Sequence, residues 1–349
     1  MSREKKKLTV LDLFSGCGGL SIGLETAGFD IKLGIDNWDK SLETFQKNHK
    51  NSEILCSDLS KLSPQKIEDK FLKNGVDVVV GGPPCQGFSI SGKRDVRDPR
   101  NDLYKSFVLF VKYFKPKAFI LENVPNLVSM DNGKVKDQII SEFEKLGYKV
   151  VYKILLASDF GVPQNRKRVI FVGLKNKSEF QYPKGQFVSK KVTSSEAISD
   201  LPESDVADGN SYANLPKSDY QKSMRRKSKG VFNHKTTKHT EKTIKIINLV
   251  PDGKNYKSLP KNLQGTRKVN IAWTRLNSKT PSFTIDTGHR HHFHYNFNRI
   301  PTVREAARLQ SFPDDFIFLG TLTDQHKQVG NAVPPLLAYE IGKELSKQI

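Results

Sequence analysis

The sequence predicts an α/β protein with a doubly wound, mainly parallel β-sheet and a second, smaller and irregular domain. Over the first half of the chain, short apolar runs of strand length alternate with amphipathic segments of helix length, which is the pattern of repeated β-α-β units. The net charge of +20 over 349 residues is concentrated in one later segment, which indicates a change of domain. Two domains are therefore expected, the first with helices on both faces of its sheet.

The elements of the first domain follow from the spacing of apolar residues. Strands are predicted at residues 8–14, 31–35, 54–56, 76–80 and 118–121, and helices at residues 20–27, 40–48 and 103–114. Strands joined by helices should be parallel, because a parallel pair needs a long crossover connection. Two further apolar runs, 150–156 and 168–172, are predicted to add a hairpin-like pair at one edge of the sheet.

Positive charge is concentrated at residues 217–268, where 15 Lys and Arg residues stand against three acidic ones. Aromatic side chains are interleaved with this charge, as in surfaces that contact the phosphates of nucleic acid. A single run of basic residues is also typical of a solvated face, so the alternative stays open at this point. The apolar periodicity fades at residues 173–191, which predicts the boundary between the domains there.

Composition argues against several classes of protein. No apolar run reaches the roughly 18–20 residues of a membrane span, and the charged N-terminus has no apolar segment behind it, so neither a membrane protein nor a secretory signal is expected. Three widely spaced cysteines argue against a disulfide framework or a cysteine-rich zinc site and fit a reducing cytoplasm. The excess of positive charge favours a polyanionic partner, most often nucleic acid.

Polar or conformationally special residues follow the carboxyl ends of five predicted strands. They are Gly16, Asp36, Asp58, Cys85 and Glu122. The carboxyl ends of parallel strands meet at one edge of a sheet, and ligands of open α/β sheets bind in the crevice there. These residues are therefore expected to form the functional site.

Residues 12–20 read Asp-Leu-Phe-Ser-Gly-Cys-Gly-Gly-Leu and predict a glycine-rich turn between a strand and a helix. Such a turn lets the backbone approach a ligand and offers free N–H groups. Asp36, about 20 residues later, suits ribose hydroxyls, and Asp58 suits an adenine amino group. The glycine spacing differs from G-x-G-x-x-G, which argues against a nicotinamide oxidoreductase. A turn without a ligand is the alternative to an adenosine-containing cofactor that needs no pyrophosphate site.

Residues 81–89 read Gly-Gly-Pro-Pro-Cys-Gln-Gly-Phe-Ser and present Cys85 behind two stiffening prolines. The basic loop that follows is long enough to act as a lid, and its cations should favour the thiolate. Cys85 is therefore predicted to be a nucleophile, with a buried structural cysteine as the alternative. Cys17 and Cys56 are expected to be structural.

Glu122 and two arginines complete the candidate catalytic set. Glu122 begins a Glu-Asn-Val-Pro string at a strand end, where a carboxylate can hold a proton if it is desolvated. Arg166 and Arg168 alternate along the approach to a strand and are expected to share a face that holds a carbonyl oxygen or a phosphate. A helix cap for Glu122 and a salt-bridged edge strand for the arginines are the alternatives.

The sequence resembles the C5-cytosine DNA methyltransferase family of the bacterial restriction-modification type. The resemblance rests on residues 12–20, 81–89, 122–124, 164–168, 304–313 and 328–333, which occur in the family's order. It implies a Rossmann-like, S-adenosylmethionine-dependent methyltransferase fold. It also implies a discontinuous catalytic domain, residues 1–173 plus 299–349, and a target recognition domain at residues 174–298. The basic and irregular character of that segment predicts that its loops read the major groove.

The resemblance assigns chemistry to the catalytic set. Cys85 matches the family nucleophile and would attack C6 of cytosine, while Glu122 would protonate or hydrogen-bond N3. Arg168 would hold the cytosine O2 atom, and Arg166 would support Glu122 or a phosphate. The cytosine must be flipped out of the duplex to be reached, and Ser91 would fill the space that it leaves.

Contacts to the cofactor and to DNA are also implied. S-adenosyl-L-methionine is predicted to be bound by Phe14, Gly16, Cys17, Gly18, Gly19, Leu20, Asp36, Trp38, Asp58, Leu59, Pro83, Asn331 and Val333. DNA is predicted to be bound by Gln86, Ser89, Ser91, Lys93, Arg94, Arg225, Arg226, Lys227 and Arg275. No metal site is predicted, because the histidines at positions 289, 291, 292 and 294 have no cysteine or acidic residue beside them; a place at a hinge or facing DNA is expected for them.

The expected partner is double-stranded DNA, with a cognate restriction endonuclease as a candidate functional partner. The chain is expected to be a monomer in the bacterial cytoplasm, associated with the nucleoid. A tRNA cytosine-5 methyltransferase is one alternative, but that branch carries a Cys-Phe-Thr triplet that this sequence lacks. A catalytically inactive DNA-binding relative is another, and it would lack Cys85 or Glu122.

Overall fold

The chain divides into two compact units by its internal contacts in a computed structural model that describes residues 7–84, 103–264, 273–287 and 292–349. The first unit comprises Met1–Leu156, Lys167–Lys184 and Pro335–Ile349, and the second comprises Ala157–Arg166 and Gly185–Pro334. Residues 299–334, which the sequence assigns to the catalytic domain, thus group with the second unit. The functional bounds of the two domains stay a prediction.

A seven-stranded sheet forms the centre of the first unit. Its strands are β1 (Thr9–Leu13), β2 (Asp30–Asp36), β3 (Glu53–Cys56), β4 (Val78–Gly81), β5 (Ala118–Asn123), β6 (Lys149–Leu156) and β7 (Lys167–Leu174). Their order is β3-β2-β1-β4-β5-β7-β6, with β1 to β5 parallel and β7 antiparallel to both β5 and β6. The predicted α/β class and the hairpin-like edge pair are confirmed. The strand order reverses between β1 and β4, where ligands of such sheets bind.

Helices flank this sheet and make up most of the regular structure of the second unit. They are α1 (Gly19–Thr26), α2 (Asp39–Asn48), α3 (Pro64–Phe71), α4 (Leu103–Phe114), α5 (Lys134–Lys145), α6 (Ser194–Ile198), α7 (Asp219–Arg225), α8 (Glu241–Asn248), α9 (Lys261–Gln264), α10 (Val303–Leu309), α11 (Leu322–Asn331) and α12 (Pro335–Leu345). The predictions of α1, α2 and α4 are confirmed, whereas α3 and α5 were not predicted. Among the described helices, none is long and apolar enough to cross a membrane.

The core of the first unit is apolar and rich in phenylalanine. Phe107, Phe119 and Phe143 are fully buried, with ring centroids 4.0–6.1 Å apart. Each such side chain contributes roughly 1.5–3 kcal/mol by leaving water. Elsewhere in this unit, α1 and α12 pack so closely that a Cβ atom at Gly23 would lie 2.4 Å from the Pro335 carbonyl oxygen. The sheet that carries the crevice is thus supported by tightly packed helices.

The second unit is irregular, with short helices and the two-residue strands β8 (Thr274–Arg275) and β9 (His292–Phe293). Buried ion pairs organise it. Arg308 donates to Asp200 and Asp314 at 2.7 Å, and all three side chains are at most 1 % exposed. Removing one partner of such a pair would leave a buried charge uncompensated, which costs roughly 3–5 kcal/mol. The unit therefore depends on polar pairing as well as on apolar packing.

Candidate active site

The segment between β1 and α1 turns tightly at the carboxyl end of the sheet. Its backbone is left-handed at three residues, with φ of 60° at Phe14, 54° at Gly16 and 93° at Gly18. The Ser15 N–H donates to the Ile35 carbonyl at 3.0 Å, which anchors the turn to β2. The conformation of Phe14 costs a non-glycine residue on the order of 1–3 kcal/mol, and strain of this kind clusters at binding sites.

His49 packs directly against this turn. A Cβ atom at Gly18 would lie 2.1 Å from His49 Nε2 and 2.9 Å from Phe45 Cδ2. The His49 ring is buried, and its Nδ1 atom lies 2.9 Å from Oε2 of Glu25 on α1. Position 18 therefore accepts only glycine without a shift of its neighbours. The sequence does not single out His49, because it lies in none of the recognised motifs.

Asp36, at the end of β2, shapes the glycine turn. Its Oδ2 atom accepts from the Gly16 N–H at 2.8 Å, and its Oδ1 atom accepts from the Trp38 N–H at 2.9 Å. The carboxylate thus links the turn to the start of α2 and brings Gly16, Asp36 and Trp38 together, as the sequence predicts. A carboxylate oxygen can accept more than one hydrogen bond, so the predicted contact with ribose hydroxyls is compatible with this geometry.

Asp58 lies at the carboxyl end of β3, the strand next to β2. Its Oδ1 atom accepts from the Ser60 N–H at 3.0 Å and from the Ser60 hydroxyl at 2.7 Å, and these bonds lower the pKa of Asp58. The carboxylate is therefore ionised and can accept a hydrogen bond, as its predicted role requires. Leu59 is buried in the core of the unit, so its side chain serves packing.

The residues of this crevice fit an adenosine-containing cofactor. The Ser15 hydroxyl is buried beside the glycine turn and makes no hydrogen bond to any described residue, which is costly unless a ligand pairs with it. The acceptors Asp36 and Asp58 follow neighbouring strands. Burial raises the pKa of Cys17 to about 12, so its thiol stays neutral, in keeping with a structural role. The expectation that Cys56 is structural is not supported, because its side chain is exposed.

Glu122 lies near the end of β5, beside the segment that leads to Cys85. A Cβ atom at Gly82 would lie 2.8 Å from Glu122 Oε2, so the glycine makes room for the carboxylate. The next residue, Asn123, donates from Nδ2 to the Pro83 carbonyl at 3.1 Å. The end of β5 and the Gly-Gly-Pro-Pro segment after β4 are therefore held together.

Glu122 pairs with Arg168, whereas the sequence predicts Arg166 as the residue that supports Glu122 or a phosphate. Arg168 Nε lies 2.7 Å from Glu122 Oε1, and both side chains are largely buried, 15 % and 12 % exposed. Arg166 belongs to the second unit, is 1 % exposed, and donates to the Gly330 carbonyl at 2.9 Å. The assignment of Arg166 to the support of Glu122 is thus corrected. Arg166 lies just before the first residue of β7. The alternation of side chains along a strand therefore does not determine the direction of its side chain.

The comparisons with known proteins decide the family. A profile of the C-5 cytosine-specific DNA methylase family matches residues 8–347. The chain belongs to this family. The type II methyltransferase M1.HphI of Haemophilus parahaemolyticus is 38 % identical to this chain over 343 residues, which cover 97 % of this chain and 87 % of that protein. Type II methyltransferase M.DdeI of Desulfomicrobium norvegicum is 37 % identical over 369 residues, covering 97 % and 88 %.

A solved structure agrees with this identification. A protein described as a DNA modification methyltransferase encoded within a prophage (E. coli) superposes with a TM-score of 0.82 at 28 % identity, covering 98 % of this chain and 99 % of that chain. The methyltransferase is accordingly a C5-cytosine DNA methyltransferase of the type II restriction-modification kind. Family and fold imply DNA as the substrate and S-adenosylmethionine as the methyl donor.

Several predicted site residues of the methyltransferase lie outside the described residues. They are Cys85, Gln86, Ser89, Ser91, Lys93 and Arg94. Two predicted cofactor residues belong to the second unit. Asn331 is the last residue of α11 and is exposed, and Val333, two residues later, is buried. Their roles stay predictions.

Arg275 and Arg225, both predicted to contact DNA, are instead engaged in contacts inside the second unit. All five N–H groups of Arg275 donate inside the second unit, to the carbonyls of residues 247, 250, 294 and 297 and to Asn298 Oδ1. Arg225 forms an ion pair with Asp200 and lies over the Tyr212 ring, 3.8 Å from its centroid. Neither guanidinium is available to a phosphate while these contacts persist, so both arginines are structural.

Arg226 and Lys227 keep their predicted role as candidates for DNA contact. Both are exposed at the end of α7, and neither forms an ion pair with a described residue. His294, one of the four clustered histidines, is buried instead of facing DNA. Burial lowers its pKa to about 4, and its Nδ1 atom accepts from the N–H groups of Asn296 and Phe297. Within the described residues, no group of His, Cys, Asp and Glu could hold a metal ion.

Proposed function

We propose that the methyltransferase transfers a methyl group from S-adenosylmethionine to C5 of a flipped-out cytosine in a short, specific duplex site, through a covalent bond between Cys85 and C6. The observation that carries this proposal is the arrangement around Glu122. The carboxylate is paired with Arg168 and lies beside Gly82, three residues before Cys85. The Glu122 carboxylate, the Arg168 guanidinium and residues 82–84, which precede Cys85, thus lie at the carboxyl ends of β4 and β5.

Each residue of this set has a chemical task. The Cys85 thiolate adds to C6 and forms the S–C6 bond, which makes C5 electron-rich. Glu122, as the carboxylic acid, gives its proton to N3 of the cytosine and so neutralises the charge that addition creates. Arg168 orients Glu122 through its Nε atom, donates from Nη1 to the Lys167 carbonyl at 2.7 Å, and can present its Nη2 N–H groups to the O2 atom of the base. After methyl transfer the C5 proton is lost to solvent, the electrons of the C5–H bond re-form the C5=C6 double bond, and the S–C6 bond breaks to release the Cys85 thiolate.

The crevice between the glycine turn and β2 is the proposed cofactor site. Bound S-adenosylmethionine supplies a methyl group on a sulfonium, which is electrophilic enough for C5. Asp36 and Asp58 bind ribose and adenine by accepting hydrogen bonds, and the buried Ser15 hydroxyl supplies one more polar contact. We further propose that residues 174–298 recognise the target sequence, with Arg226 and Lys227 on DNA phosphates.

Substitution of Cys85 tests the nucleophile. Cys85→Ser should abolish methyl transfer and leave DNA binding within about twofold, because serine is a far weaker nucleophile at neutral pH. Cys56→Ser is the matched control, since Cys56 is an exposed cysteine without a proposed role. Undiminished turnover of Cys85→Ser in a tritium-transfer assay would overturn the assignment.

A 5-fluorocytosine substrate tests the covalent step. Fluorine at C5 cannot leave as a proton does, so a stable protein–DNA adduct should appear on a denaturing gel with the parent and with Cys56→Ser, but not with Cys85→Ser.

Bisulfite sequencing of DNA from cells that express the methyltransferase should then report C5-methylated cytosines in one sequence context. The cognate endonuclease, the monomeric state and the cytoplasmic location stay predictions.

A further inference from the structure

Two buried glutamines of the second unit are hydrogen-bonded to each other. Gln164 and Gln310 are both 0 % exposed. Gln164 Nε2 donates to Gln310 Oε1 at 2.5 Å and to the Leu309 carbonyl at 3.2 Å. Two amides so completely removed from water would be costly if they were unpaired, so the pair has one well-defined arrangement.

The ends of this pair reach the backbone of two distant segments. Gln164 Oε1 accepts from the Ile285 N–H at 3.0 Å, and Gln310 Nε2 donates to the Ala332 carbonyl at 2.6 Å. An N–H at one end and a carbonyl at the other determine the direction of every bond between them. We call this chain, from Ile285 through Gln164 and Gln310 to Ala332, the amide relay.

The segments at the two ends also touch each other directly. A Cβ atom at Gly330 would lie 2.1 Å from the Asp286 carbonyl oxygen and 2.9 Å from the Thr287 Cα atom. Arg166 donates to the Gly330 carbonyl at 2.9 Å and to the Ile285 carbonyl at 3.4 Å. Side-chain hydrogen bonds and close backbone contact therefore fix the position of residues 285–287, in the proposed recognition region, relative to residues 330–332.

We propose that the amide relay positions the segment around Ala332, so that the affinity for S-adenosylmethionine depends on Gln164 and Gln310. The inference rests on the proposed function and on the expectation from the sequence that Asn331 and Val333, the two neighbours of Ala332, contact S-adenosylmethionine. Gln310 acts as a positioning residue: it holds the carbonyl between two cofactor contacts, and Gln164 ties that carbonyl to Ile285. A displaced Ala332 would shift both contacts.

The test combines Gln→Met substitutions in the full-length methyltransferase. Gln310→Met and Gln164→Met keep the length of the side chain and remove the relay bonds. Each should weaken binding of S-adenosylmethionine, measured by calorimetry without DNA, by roughly tenfold. The double variant should be no weaker than the worse single variant, because one relay is broken in each case. The kcat at saturating cofactor should stay within about threefold.

The matched control is Gln325→Met. Gln325 lies on α11 in the same unit and also bonds through both ends of its amide, to Asn233 and to the Gly320 carbonyl, but it is no part of the relay. It should bind the cofactor as the parent does. If Gln310→Met does not fold, Gln310→Asn serves instead, since it keeps an amide but is one methylene too short to span the relay, and the same loss is expected.

The outcomes separate the inference from the proposed function, because Asn331→Ala probes the cofactor contact alone. If Asn331→Ala weakens binding and Gln310→Met changes it less than twofold, the relay is overturned and the proposed site stands. If Gln325→Met weakens binding as much as Gln310→Met, general loosening of the unit explains both and the relay is overturned. If Gln310→Met weakens binding and Asn331→Ala does not, the relay stands and acts through another residue of the segment.

Discussion

Replacing Gly18 by alanine should destabilise the methyltransferase through two separate effects. The left-handed backbone at φ 93° disfavours any residue with a Cβ atom, by about 1–2 kcal/mol. The new methyl group would also lie 2.1 Å from His49 Nε2, and the buried ring is held in place by Glu25. Forcing such a contact into a packed region costs roughly 1–3 kcal/mol. The free energy of unfolding should therefore fall by about 2–5 kcal/mol.

Urea unfolding followed by circular dichroism measures this loss, and Gly28→Ala separates its two parts. Gly28 has almost the same backbone, φ 98°, and a Cβ atom there would meet nothing within 4 Å. Gly28→Ala should therefore show the backbone cost alone. The difference between the two variants reports the collision with His49.

The double variant Gly18→Ala, His49→Ala gives the decisive comparison. Removing the ring makes room for the methyl group, so the double variant should be more stable than the sum of the two single losses predicts, by at least about 1 kcal/mol. Strict additivity, or equal losses for Gly18→Ala and Gly28→Ala, would refute the reasoning. Affinity for S-adenosylmethionine should fall with Gly18→Ala and be retained with Gly28→Ala, because only Gly18 lies in the proposed cofactor turn.

Three further predictions concern charge. Burial raises the pKa of Asp12 to about 7, so the folded protein keeps a proton that the unfolded chain releases, and the Asp12 contribution to the free energy of unfolding falls as the pH rises from about 4 to 7. Asp12→Asn should gain stability relative to the parent over that range, by up to about 4 kcal/mol in urea titrations, and a pH-independent difference would contradict this. Glu122→Gln should lower kcat by at least about 100-fold in the tritium assay, because the amide cannot transfer a proton to N3 and become the anion that pairs with Arg168; a loss under tenfold would argue against its role. Arg226→Gln should reduce the slope of log Kd for DNA against log salt by about 1, whereas Arg225→Gln should leave the slope unchanged and lower stability by roughly 3 kcal/mol; the reverse pattern would exchange their roles.

The architecture of the first unit could be predicted because its signals are local. Each predicted strand is a short apolar run, and the helices between the strands require parallel pairing, so the sheet follows from the order of elements along the chain. The helix α3 escaped prediction because it carries few apolar side chains, Ile67 and Phe71 among them. Its stability depends on docking against the unit rather than on its own pattern.

The second unit resisted prediction because its contacts are non-local and polar. Arg275 reads as a DNA contact in a basic segment, but its guanidinium donates to oxygen atoms of residues that lie 19–28 positions away along the chain. Composition reports how much charge a segment carries. It does not report whether a given guanidinium meets solvent or a carbonyl inside the fold.

By itself, the sequence determined the α/β class, the family, and, among the described residues, the positions of Gly16, Asp36, Asp58 and Glu122 near the carboxyl ends of the strands, because all of these depend on short motifs and on periodicity. Only the tertiary structure decided the partners within that set. It paired Arg168 with Glu122, directed Arg166 to Gly330, and placed His49 under Gly18. The physical reason is common to these cases: the direction of a side chain is set by the element that carries it and by neighbours brought close only on folding.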